Sequence, residues 1–112
     1  MFRAHSVVTG LAALAVAGQA IAQEVLPGDP IAGRNLAREA CAECHDVERD
    51  WNELAAFYGP AFADIAASPG LTATRLRVFL RTPHSEMPDF ILTEQELDDV
   101  ISYILTLRRD AR

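Results

Sequence analysis

The chain has 112 residues, half of them hydrophobic, with 10 basic and 16 acidic side chains, a formal net charge of −6 and two cysteines. That length suits one small domain with a modest core, which gains from a staple or a bound group. The acidic balance argues against nucleic acid as a partner and predicts partners with positive docking patches.

Met1-Phe2-Arg3, an apolar run of small residues from Val7 to Gly18 and the closing Ala20-Ile21-Ala22 make a secretory signal peptide. The run is too short to span a bilayer as a helix. Cleavage after Ala22 predicts a signal segment over 1–22 and one domain over 23–112, with an uncleaved anchor as the alternative and the only membrane contact. The processed chain carries nine arginines, no lysine and sixteen acidic residues, a charge of −7.

Asp29-Pro30 is a helix start, with Asp as N-cap and Pro at the first helical position. The helix runs from Pro30 through Ala40 into Cys41-Ala42-Glu43-Cys44-His45. Two cysteines three apart, followed at once by histidine, have the spacing of covalent haem attachment. On a helical turn residues i and i+3 share a face, so both thiols can reach one haem edge. His45 then offers an imidazole nitrogen to the iron. A thioredoxin-like redox pair needs a βαβ setting. A zinc site needs four ligands and finds only His84 to complete it. A Cys41–Cys44 disulfide staples almost nothing.

Asn52 to Phe57 predicts a helical turn or two beside Trp51, an aromatic for haem packing or ordinary core. Gly59-Pro60 signals a turn, and Ala61 to Ala66 a short helix with Phe62 and Ile65 on one side. Ser68-Pro69-Gly70 breaks the chain. Thr72 caps a helix carrying Leu76, Phe79 and Leu80, ended by Pro83. Arg77 and Arg81 share its opposite face, a solvated basic surface or a local docking patch. Thr93 to Glu96 is a capping box. After it, Leu97, Val100, Ile101, Ile104 and Leu105 recur at helical spacing, with Arg108, Arg109 and Arg112 at the dipole's negative end.

One axial position remains on an iron held by His45. Past the signal segment the chain offers Met87, stiffened by Pro88, and His84. A thioether there raises the reduction potential and suits electron transfer; the alternatives are a packing role for Met87 and ligation by His84.

From Asp29 to Leu107 the chain resembles the class I (His/Met) cytochromes c of the small bacterial monohaem type. Gly33, Cys41, Cys44 and His45, Gly59-Pro60, the Pro83 to Pro88 segment and Tyr103 carry the resemblance. It implies Met87 as sixth ligand, a Pro60 carbonyl accepting from His45 Nδ1–H, and a helix crossing at Gly33 packed by Tyr103. Ala37, often aromatic in the family, and the absence of lysine are departures.

The reading is therefore an all-α cytochrome c fold: three main helices plus short turns around one haem c bound through Cys41 and Cys44. His45 and Met87 are the metal ligands. Phe62, Leu76, Phe79, Leu80, Leu97 and Ile101 line the pocket. The role is single-electron carriage in the periplasm, with no catalytic residues. Its partners are redox proteins, a dehydrogenase as donor and an oxidase or another cytochrome as acceptor. The alternatives are a permanent dehydrogenase subunit, and a haem enzyme or gas sensor with a displaceable sixth ligand.

Overall fold

The computed structural model describes residue 1 and residues 24–48, 58–83 and 86–108. The signal segment, Trp51, the predicted turn over 52–57, His84, Arg109 and Arg112 lie outside them. The described residues form four helices and no strand: α1 (Pro30–Ala40), α2 (Phe62–Ala67), α3 (Ala73–Arg81) and α4 (Glu94–Leu107).

Each long helix begins where a side chain meets an orphan backbone donor. Asp29 accepts from the Ile31 N–H at 2.8 Å, directly before Pro30. Thr72 accepts from Arg75 N–H at 3.1 Å. Thr93 and Glu96 exchange both bonds of the capping box, at 3.2 and 2.8 Å. α2 has no side-chain cap, and Gly70 turns the chain toward α3 at a φ of +71°, where glycine avoids the Cβ penalty.

α4 is the hub, packed against all three other helices. Leu97, Val100, Ile101, Tyr103, Ile104, Leu105 and Leu107 are buried along it. α1 crosses it at Gly33, where an added Cβ would stand 1.9 Å from the Asp99 carbonyl oxygen. The crossing is where the resemblance puts it, with the backbone of Asp99 and Val100 against Gly33. Tyr103 donates its hydroxyl to the Val47 carbonyl. Ala37 is fully buried, a small side chain in a close crossing.

The approach to α1 is tied to a polar pair on the buried face of α4. Ser102 Oγ accepts from Gly28 N–H at 2.7 Å, and Asp99 Oδ1 from Asp29 N–H at 2.8 Å and Gln95 Nε2 at 2.7 Å. Arg108 donates to the carbonyls of Ala66 (3.1 Å) and Leu71 (2.7 Å) and pairs with Glu24, so it joins three segments.

Two surface expectations change. Arg77 pairs with Asp98 and Glu94, and Arg81 with Glu94. These arginines link α3 to the start of α4 and are no free docking patch. Accordingly, α3 turns Ala73, Leu76, Arg77 and Leu80 inward, leaving Phe79 53% exposed beside Val78.

Candidate functional site

The two cysteines and His45 sit on the turn that continues α1. Cys41 N–H bonds the Ala37 carbonyl at 2.9 Å, as the C-cap. Cys44 and His45 N–H both return to the Cys41 carbonyl, at 3.2 and 2.9 Å. This is one further helix-like turn, so the cysteines keep the i, i+3 relation. Both thiols are free and half-buried. Burial pushes the Cys41 thiol above its ordinary value, because a thiolate there loses hydration.

The imidazole of His45 is held from several sides. Its Nδ1 stands 2.7 Å from the Pro60 carbonyl oxygen. A carbonyl oxygen only accepts, so Nδ1 carries the hydrogen, which in the neutral ring leaves the lone pair on Nε2. Hydrogen bonds of this kind, made by the ring nitrogen away from the metal, fix the tautomer and direction of metal-bound histidines. Gly59 lies flush against the ring, where an added Cβ would be 2.7 Å from Cε1 and 2.9 Å from Nδ1. Phe62 tilts against the ring at 5.4 Å between centroids, with Tyr103 behind it at 6.5 Å.

Of the residues named as lining, Phe62, Leu76, Leu97 and Ile101 are buried and Leu80 is half-buried. Leu80 and Leu97 share a cavity of about 330 Å³ with Pro83, Phe90, Ile91 and Leu92. Phe79 borders a second cleft with Val78, Thr74 and Thr82. Met87 is half-buried between α3 and α4.

Among the described residues, no three His, Cys, Asp or Glu side chains converge to hold a metal ion. No helix of the described residues is long and apolar enough to cross a membrane.

The family described as Cytochrome C oxidase, cbb3-type, subunit III matches residues 28–104, all four helices but the last turn of α4. The chain belongs to the cytochrome c family. It is 37% identical over 95 residues to "Cytochrome c-552" of Bradyrhizobium diazoefficiens, covering 85% of this chain and 88% of that protein. No solved structure matches it. Membership implies haem c, bound covalently, and the cysteine pair of this cytochrome c is Cys41 and Cys44. The residues present fit such a group: two free thiols on one turn, followed by an imidazole whose Nε2 is left as the donor. Electron transport fits this family better than enzyme chemistry.

Sequence reasoning missed four contributing residues. Gly59 was read as a turn former, and its contact with the ring depends on residues fourteen positions apart. Asp99 and Ser102 interrupt the apolar stripe of α4 at i and i+3, a signal for a buried polar function. Glu48 follows the motif closely and is described below.

Proposed function

We propose that this cytochrome c is a periplasmic monohaem carrier of single electrons, with His45 and Met87 as the axial ligands. The observation that carries the reading is the bond from His45 Nδ1–H to the Pro60 carbonyl, which aims Nε2 and fixes its tautomer. When bound, haem supplies a one-electron ferric/ferrous couple. The chain's own part would be to hold the iron through His45 and Met87 in both redox states, so that little rearranges on reduction. Cys41 and Cys44 tether the group. Met87, held before Pro88, supplies a neutral thioether that favours the ferrous state. Phe62, Leu76, Leu80, Leu97 and Ile101 exclude water.

Export follows from the signal segment over 1–22, whose removal leaves the domain over 23–112. The charge distribution supports a positively charged redox partner. Arg34, Arg38, Arg77, Arg81 and Arg108 are each paired with a carboxylate of the chain. Glu39 and Glu43 beside the cysteine motif, and Glu86 and Asp89 beside Met87, are exposed with no ion pair to another described residue.

Absorption spectra of the oxidised and reduced protein, produced with haem-maturation machinery, test the reading. Thioether-linked haem with the weak red-region Met-to-ferric band is the expected result. Haem without that band, or rapid CO binding by the ferrous protein at neutral pH, overturns the His/Met carrier.

A further inference from the structure

The three residues that follow His45 are each tied to a different helix. The Asp46 carbonyl accepts from the N–H of Phe62, the first residue of α2, at 2.8 Å. The Val47 carbonyl accepts the hydroxyl of Tyr103, from the middle of α4. The Glu48 carboxylate spans two arginines one turn apart on α1: Oε2 accepts from Arg34 Nε (3.1 Å) and Nη2 (2.8 Å), and Oε1 from Arg38 Nε. Asp46 and Val47 are both 4% exposed, so two of the three attachments are shielded from competing water. The Asp46–Phe62 backbone bond lies beside the His45–Pro60 bond, one or two residues away on each segment. Any drift of residues 46–48 therefore changes the reach of the imidazole toward Pro60.

We infer that residues 46–48 form a three-way anchor that orients the axial histidine, making Tyr103 and Glu48 positioning residues for His45. Neither touches the ring; both act through the backbone that carries it. Tyr103 has a second route, through Phe62, whose ring stands between Tyr103 and the imidazole. The inference rests on the reading of His45 as an iron ligand.

The test compares Tyr103→Phe with Thr93→Ala in the haem-loaded protein. Both weaken α4, but Thr93→Ala removes only the cap and leaves the anchor alone. NMR measures hydrogen exchange of His45 Nδ1–H. Loss of a hydrogen bond of ordinary net worth should speed it about fivefold in Tyr103→Phe, while Thr93→Ala leaves it unchanged at a matched drop in Tm. Equal acceleration in both variants, or none in Tyr103→Phe, overturns the inference. Glu48→Ala, at a more open position, provides the same comparison where Tyr103→Phe does not accumulate. A failure of the ligand reading is separate: the His45 ring protons of the ferric wild type would lack the large displacement that bound iron imposes.

Discussion

Replacing Gly33 by alanine tests the α1–α4 crossing directly. The new Cβ would stand 1.9 Å from the Asp99 carbonyl oxygen, 2.4 Å from its carbon and 2.9 Å from the Val100 nitrogen, whereas ordinary contact begins at 3.4 Å. All three obstacles are backbone atoms of a buried helix, so no rotamer change relieves them. α1 must retreat by about 1.5 Å, loosening the packing around Ala37 and Val100. Overpacking of this kind costs about 1–3 kcal/mol. Alanine's better helix propensity returns about 1 kcal/mol. Because the clash is between backbones, its cost lies in the upper part of that range, and a net loss of about 1–2 kcal/mol is expected. For a domain of this size that lowers Tm by about 5–15 °C. Thermal unfolding of the haem-loaded protein, followed by far-UV circular dichroism, measures it. An unchanged or raised Tm in Gly33→Ala refutes a crossing this close, and Gly33→Leu should be worse than Gly33→Ala.

Met87→Ala should leave haem attached but make the ferric protein high-spin and lower its reduction potential. If His84→Ala does this and Met87→Ala does not, the sixth ligand is misassigned. Asp99→Ala removes the acceptor of Asp29 N–H and should cost about 1–3 kcal/mol in urea unfolding; Asp99→Asn, which keeps an oxygen there, should recover most of it. Asparagine as damaging as alanine would argue against that bond. The Arg34 hydrogen bond holds the Glu48 carboxyl below the usual carboxylate range, against a partial desolvation that pushes it up. A depressed folded value means its stabilisation is present above the unfolded value of about 4.3 and lost as pH falls through the folded one. The pair is open to solvent, so its contribution is small. Wild type should exceed Glu48→Gln in stability at pH 7, and the gap should shrink as pH falls below the unfolded value; an undiminished gap in acid would count against the pair.

Much of this architecture was legible because its signals are local. Asp29, Thr72 and Thr93 each satisfy a donor two or three residues away, so the starts of α1, α3 and α4 could be read without knowing what they pack against. The cysteine–histidine spacing is equally local, since one turn of chain places both thiols and the imidazole. The faces of α3 were harder. Its periodicity offered Leu76, Phe79 and Leu80 as one apolar stripe, yet the helix is rolled so that Arg77 reaches Asp98 and Glu94. The carboxylates that settle that roll belong to α4, and nothing in the α3 segment announces them.

The same division runs through the site. Helix starts, the thiol pair and its adjacent histidine depend on contacts within about four residues, whose geometry the covalent chain nearly imposes. The direction of the imidazole depends on Pro60, Gly59 and Phe62, and the backbone under it on Arg34, Arg38 and Tyr103. Those partners lie 10 to 56 residues from the groups they hold. They meet only in the folded chain, where α4 packs against α1 and α2 and the connecting segments are brought together.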